Sequence, residues 1–196
     1  YQYLLPNFEI LKNFNNNLNL VSNGYHKNYD TNVFEKVLIN DLRYSSIPKI
    51  NSKGFINKFN LLLKNVTTES DNSDEYKNEF RSQNFGSVLY DISYPLKKEG
   101  NNFDNFLSGK ASFMYSPNKN KNIKDLDRKI DVNNIFNQNR LGLNDSVEGG
   151  QSLTLGGEFK ITDKLNNSIL TAGLASVLRD KNEQKLPKSS TINNKS

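Results

Sequence analysis

From Gln151 onward the chain alternates oily and polar residues almost without error. Leu153, Leu155, Gly157, Phe159 and Ile161 stand at odd positions, and Ser152, Thr154, Gly156, Glu158, Lys160 and Thr162 at even ones. Successive side chains of a strand point to opposite faces, so the segment predicts a strand with one apolar and one polar face. The period recurs upstream. Phe59, Leu61 and Leu63 oppose Lys58, Asn60 and Lys64, with Leu62 as an exception; Val88, Tyr90, Ile92 and Tyr94 oppose Ser87, Asp91 and Ser93. Ala111, Phe113 and Tyr115 oppose Lys110, Ser112 and Ser116. Leu170, Ala172, Leu174 and Leu178 share one side of a last strand, blurred by Ile169 and Val177.

The pattern predicts about eight strands: Tyr3–Phe14, Asn17–Asn28, Asn32–Ser46, Phe55–Thr68, Asn84–Lys97, Phe103–Ser116, Glu148–Thr162 and Asn167–Arg179. Strands of soluble proteins typically run about five or six residues, whereas a tilted strand crossing a bilayer needs about nine to eleven. Most of these reach the longer class. Tyr44, Phe55, Tyr94, Tyr115 and Phe159 gather near strand ends, where the aromatic girdles of a membrane barrel lie. Short links (around Asn15–Asn16, Ile47–Gly54, Lys98–Asn102 and Asp163–Asn166) alternate with long ones (Glu69–Gln83, Pro117–Val147 and the stretch after Asp180). The short link around Tyr29–Thr31 breaks the alternation. Short periplasmic turns and long external loops are the habit of outer-membrane barrels, which would put Pro117–Val147 outside the cell.

The expected fold is therefore all-β: antiparallel transmembrane strands forming part of a larger barrel, and a curved open sheet if isolated. Leu61, Leu63, Tyr90, Ile92, Phe113, Leu153, Leu155 and Phe159 are the residues expected to face lipid, with Leu63 and Phe113 near the bilayer midplane. A soluble β-sandwich would show the same alternation against a core. Strand length and the polar bias of the second face favour the barrel.

Composition agrees with a sheet that has little ordinary core. Only 35% of the 196 residues are hydrophobic, Trp is absent and mean hydropathy is −0.73. Such a chain is either partly disordered or a sheet with one wet face, and the periodicity selects the second. Asn makes up roughly a sixth of the chain and Lys far outnumbers Arg, a bias that reads as codon usage rather than chemistry. The net charge of +5 is spread through turns and polar faces rather than clustered with stacking aromatics, so no nucleic-acid partner is expected. The absence of Cys removes disulfide and thiolate chemistry from the segment. The chain opens on Tyr1 with no visible signal peptide, which suggests an internal piece of a longer protein.

One loop carries more information than its length requires. Asn134-Ile135-Phe136, then Asn139-Arg140, then Asp145 and Val147-Glu148-x-Gly150 resemble the pattern N-[IL]-F-x-x-N-R-x-x-G-x-D-R-[VI]-E-x-G. That pattern marks the barrel of the LptD (OstA) family of lipopolysaccharide-assembly proteins. Leu63-Lys64-Asn65-Val66, Tyr94-Pro95-Leu96-Lys97-Lys98, Tyr115-Ser116-Pro117-Asn118 and Leu186-Pro187-x-Ser189-Ser190 resemble further family segments in the same order. Ser146 departs from the family's usual Arg, which removes a possible partner for Glu148; Gly109 replaces a frequent Pro, and the motif glycine is displaced to Gly142.

The resemblance implies that residues 1–196 are part of one outer-membrane barrel domain, without the family's periplasmic jellyroll. It also implies a place in the wall of the translocon that inserts lipopolysaccharide into the outer leaflet of the Gram-negative outer membrane. Lipopolysaccharide, an LptE-like plug lipoprotein and periplasmic lipopolysaccharide-bridge proteins are the partners it implies. Asn134, Phe136, Asn139, Arg140, Asp145, Glu148 and Gly150 would be structural residues of the motif loop.

No catalytic, cofactor or metal constellation emerges, and no enzyme is expected. His26 has no nearby acidic or thiol partner in sequence, so it reads as a surface or lumen-wall residue. Asp71, Asp74 and Glu75 lack the order of a calcium loop. Gly149-Gly150 and Gly156-Gly157 lack a following helix and a phosphate-binding Lys, and fit close backbone approach better. The long loop is studded with Ile130, Val132, Ile135, Phe136 and Leu141, which a disordered loop would not need. Arg140 is accordingly expected to pair with Asp145 or Glu148 and hold that loop over or into a lumen. A diffusion channel, and a soluble β-rich adhesin or carbohydrate-binding module, stand as the competing functions.

Overall fold

A computed structural model describes residues 2–4, 8–9, 16–28, 32–128 and 130–187. Ten strands form a single antiparallel sheet: β1 (Gln2–Leu4), β2 (Phe8–Glu9), β3 (Asn16–Asn28), β4 (Phe34–Ser46), β5 (Lys49–Ile50), β6 (Ile56–Asp71), β7 (Arg81–Glu99), β8 (Phe103–Ser116), β9 (Gly150–Asp163) and β10 (Ser168–Arg179). The order is β1-β3-β4-β6-β7-β8-β9-β10, with the short β2 and β5 pairing β3 and β6. There is no helix among the described residues, and the sheet is open, with β1 and β10 at its two edges. This is the all-β, open antiparallel sheet that the alternation predicts. The expected strand Tyr3–Phe14 lies largely outside the described residues; its described pieces, β1 and β2, both pair with β3.

Several boundaries move. Asn32 has a left-handed φ of 59°, which delays β4 to Phe34. β6 continues to Asp71 and β7 begins at Arg81, so the link between them is Asn72–Phe80 rather than Glu69–Gln83. β9 starts at Gly150, where a φ of 85° turns the loop into the strand, and not at Glu148. The short links close locally. Asp163 accepts from the backbone N–H of Leu165 and Asn167 at 2.9 and 2.8 Å and ties β9 to β10. Gly54, at φ 84°, turns β5 into β6.

The two faces of the sheet are inverted relative to a water-soluble protein. On β9 the polar Ser152 and Thr154 are 3% and 2% exposed, whereas the apolar Leu153 and Leu155 are 38% and 43% exposed. Register carries this across the strands: Tyr44, Leu61, Val88 and Tyr115 share one row, and Phe59, Tyr90, Phe113, Leu153 and Leu178 the next. All eight residues expected to face lipid fall on this apolar face, as do Tyr44, Tyr94, Tyr115 and Phe159 of the aromatic set, while the Phe55 ring packs on Tyr94 at 4.8 Å. His26 lies on the same face, its ring 5.2 Å from that of Phe34.

The apolar run slides along successive strands. On β3 it is centred between Leu18 and Leu20, at Asn19, which aligns through Arg43 and Leu62 with Ser87. On β10 it runs from Leu170 to Leu178, centred at Leu174, which aligns through Gly157 and Gly109 with Tyr94. The centre thus shifts from Ser87 to Tyr94 on β7 over the six steps from β3 to β10. At about 3.3 Å per residue and about 4.8 Å per strand, a level band with this drift requires strands tilted by roughly 40°. The run Val88–Leu96 on β7 then spans about 20 Å in the direction of the band's width.

Leu62 and Val177, which break the alternation in sequence, both point to the polar face. There Leu62 lies beside Gln138, Asn139, Leu143 and Val147, and Val177 packs on Ile123, Leu141 and Leu143, while Val37, Val66, Leu89 and Met114 are buried on the same face.

Candidate functional site

The polar face of the sheet is covered by residues 117–128 and 130–149, from the link between β8 and β9. Its apolar residues have a use: Ile123, Leu141 and Leu143 pack with Val177 of β10 and Leu186, and Ile130 and Ile135 lie against that cluster. Several of its polar contacts are aimed at the sheet. Gln138 donates to the Ser87 carbonyl and hydroxyl at 2.9 Å each, and Asn118 accepts from the Gly86 N–H at 2.9 Å. Asn120 pins the other end of the loop: its carbonyl oxygen accepts from the Gly149 N–H at 2.7 Å and its amide donates to Glu183 at 3.0 Å.

At the centre is a buried ion cluster. Arg140 grips Glu148 with two bonds, Nε to Oε2 at 2.8 Å and Nη2 to Oε1 at 2.5 Å. The other guanidinium hydrogens go to Thr154 and Ser152 of β9, at 2.8 Å each, and to the Ile135 carbonyl at 3.3 Å. Arg140 therefore pairs with Glu148, one of its two expected partners. The second cation on Glu148 is Arg179, at the end of β10. Arg140, Glu148 and Arg179 are 5%, 3% and 4% exposed. Burying three charges is costly, and it is sustained here by bidentate geometry and hydroxyl bonds to the strand. Arg179, rather than a residue at position 146, supplies the second cation on Glu148. The Ser146 hydroxyl is itself buried without a hydrogen-bond partner among the described residues.

The remaining motif residues each have a definite local role. Asn139 closes the loop on Leu143, accepting from its N–H at 2.8 Å and donating to its carbonyl at 2.9 Å. Asn134 accepts from the Asp131 N–H at 3.0 Å. Phe136 lies under the Lys110 ammonium, 5.8 Å from the ring centre. Asp145 does not join Arg140; it takes Lys121 at 2.5 Å.

A second buried pair and a second loop extend the site. Lys64 of β6 meets Asp41 of β4 at 2.7 Å and donates to the Asn144 carbonyl at 2.8 Å, so a strand lysine also holds the loop. Arg43 adds to Asp41 at 2.6 Å. The Asn72–Phe80 loop turns inward: Ser73 donates to Glu35 at 2.6 Å, and Glu75 and Tyr76 approach Lys121, Glu75 at 3.6 Å. Burial, and then the Tyr25 hydroxyl bonded to it, push the Tyr76 phenol well above its ordinary pKa, so it stays neutral. No group of three or more His, Asp or Glu side chains placed to hold a metal occurs among the described residues.

Asp41, Lys64, Lys121 and Arg179 do not stand out in sequence as a site. For Asp41, Lys64 and Arg179 the signal in sequence is a charged residue in the inward phase of a strand, whereas Lys121 lies in the loop and carries none. The glycines follow close approach. A Cβ on Gly149 would overlap the Asn118 carbonyl oxygen, and one on Gly156 would come within 2.5 Å of the Leu174 carbonyl oxygen. Gly149→Ala is expected to cost about 1–3 kcal/mol through this overlap, read as a lower unfolding midpoint. Gly109→Ala, whose Cβ meets open space on the apolar face, is the control and should cost nothing.

A scan against models of known protein families finds no match, and a search of curated proteins finds no relative.

Proposed function

We propose that this chain is a wall segment of a membrane-embedded β-barrel in a Gram-negative outer membrane, and that the barrel delivers lipopolysaccharide to the outer leaflet. The observation that carries the reading is the inverted sheet, with a tilted apolar band outside and an ionic face under a folded loop. In water such a band is an unsatisfied hydrophobic surface; against lipid it is the favourable arrangement. The roughly 40° tilt obtained from its drift matches the tilt of about 35–45° common to outer-membrane barrels. A soluble sandwich would bury the apolar face under a second sheet, and all ten described strands belong to one sheet.

Specificity for lipopolysaccharide rests on the motif loop and its resemblance to LptD. The motif's Arg140 and Glu148 form the centre of the buried cluster, which gives the resemblance a physical content. A diffusion channel shares the periodicity but offers no reason for this motif. Depleting the protein in its host and measuring lipopolysaccharide at the cell surface separates the two. Loss of surface lipopolysaccharide is expected. Unchanged surface lipopolysaccharide with reduced uptake of small solutes would replace this reading with the channel.

A further inference from the structure

The apolar band on the outward face is not equally wide on every strand. On β9 the outward positions between Gln151 and Asp163 are all apolar or glycine, so the polar residues that bound the band stand 12 positions apart. On β7 the bounding residues are Asn84 and Lys98, 14 apart. On β6 they are Asn57 and Asn65, only 8 apart. On β4 they are Asn40 and Ser46, and on β3 Asn16 and Ser22, 6 apart on each strand. Leu42 and Tyr44 on β4, and Leu18 and Leu20 on β3, are the outward residues between them.

At about 3.3 Å per residue and a tilt of roughly 40°, the span on β9 covers about 30 Å of depth and those on β3 and β4 about 15 Å. The first matches the hydrocarbon thickness of an ordinary bilayer, about 30 Å, and the second is half of it. Leaning the whole barrel moves the centre of a band without widening it. Even upright strands would cover only about 20 Å between Asn40 and Ser46.

The polar residues above the narrow stretch bond to one another. The Ser22 hydroxyl donates to Asn40, the Asn40 amide to Asn65 at 3.5 Å, and the Asn65 amide to Asn84 at 2.8 Å, a row that crosses β3, β4, β6 and β7. Farther out on the same face Lys36 and Glu69 pair at 3.2 Å, each about half exposed. Such a surface suits water and lipid headgroups. Leu38, the outward leucine between the row and the ion pair, is not the packed apolar centre around which a protein interface is built.

We propose that the bilayer is thinned against β3 and β4, with one headgroup layer meeting the asparagine row and the other meeting Ser46 and Asn16. Strands β7 to β10 face hydrocarbon of full depth. A bilayer adapts to a short apolar span by thinning, which costs less than placing amides in hydrocarbon. Thinning at this wall presupposes the barrel reading above but not the export of lipopolysaccharide.

The chain has no cysteine, so single substitutions give unique labels. The intact protein would be placed in nanodiscs of palmitoyl-oleoyl phosphatidylcholine, which leave both membrane faces open to reagent. Asn40→Cys, Ser46→Cys, Leu155→Cys and Phe159→Cys are then reacted with a charged, water-soluble thiol reagent. Asn40→Cys and Ser46→Cys should both react fast, and Leu155→Cys and Phe159→Cys at least about tenfold more slowly, since a charged reagent does not enter hydrocarbon. A bilayer of full depth leaves only one of Asn40 and Ser46 in water, so one fast and one slow cysteine on β4 would overturn the thinning. Two slow cysteines on β4 would also overturn it and point to a second copy covering the row. In both cases slow cysteines on β9 leave the barrel reading standing. Four fast cysteines would take the strands out of the bilayer and reject both. Ser22→Cys and Asn16→Cys on β3 give the same comparison should Asn40→Cys fold poorly.

Discussion

Glu148→Ala is expected to destabilise the protein by about 3–5 kcal/mol and to open residues 117–149 to protease. Glu148 is shared by Arg140 and Arg179, and all three are buried, so its removal leaves two guanidiniums in a dry site without a counter-charge. That penalty exceeds the net worth of the pair, because the stranded charges pay their desolvation with nothing in return. Arg140→Ala should be milder for the charge balance, since Arg179 still neutralises Glu148, but it frees the loop from Ser152 and Thr154. Tryptic cleavage within the loop should therefore appear in both variants, with the lower denaturation midpoint in Glu148→Ala. Glu99→Ala breaks an exposed pair with Lys97 and should cost less than about 1 kcal/mol. A Glu148→Ala protein with the parent's midpoint and an uncut loop would mean that the cluster does not hold the loop.

Phe113→Lys is expected to cost about 2–4 kcal/mol when the protein folds into lipid. The penalty arises because an ammonium near the bilayer midplane loses its water, and it decreases toward either surface. Register places the two candidate positions differently. Phe113 is one outward position from Ala111, the middle of the run Leu107–Tyr115 on β8, whereas Leu63 is the last apolar residue on β6 before the outward Asn65. Leu63→Lys should thus be distinctly milder than Phe113→Lys, although sequence alone put both near the midplane. Both side chains are exposed on the isolated sheet, so a protein bathed in water would tolerate either change within about 0.5 kcal/mol. Equal, negligible costs for the two variants in lipid would remove the band from the bilayer.

Much of the candidate site was legible in the loop itself. A loop rich in Ile, Val, Leu and Phe has to be packed somewhere, and an arginine near two acids has a natural partner in one of them. The choice between Asp145 and Glu148 was not legible. It depends on Lys121 reaching Asp145 first and on Ser152 and Thr154 presenting hydroxyls where Glu148 sits. Arg179 was hidden for a similar reason. It lies 31 residues from Glu148 in the chain, and only the β9–β10 hairpin brings the two together. Leu62 and Val177 read as faults in the period until the loop covered the polar face and gave its apolar residues neighbours.

By itself, the sequence determined the class of fold and the two faces of the sheet. A period of two over strands of twelve or more residues leaves no other regular structure, because the direction of each side chain is fixed by its own backbone. Tertiary structure alone decided what seals the polar face and through which contacts. Alternation is indifferent to whether the oily or the wet side is buried. Here a loop carrying its own apolar core and one carboxylate between two arginines closes over the polar side, leaving the leucines and aromatics outside. Those contacts join residues tens of positions apart, so they exist only once the strands are in register.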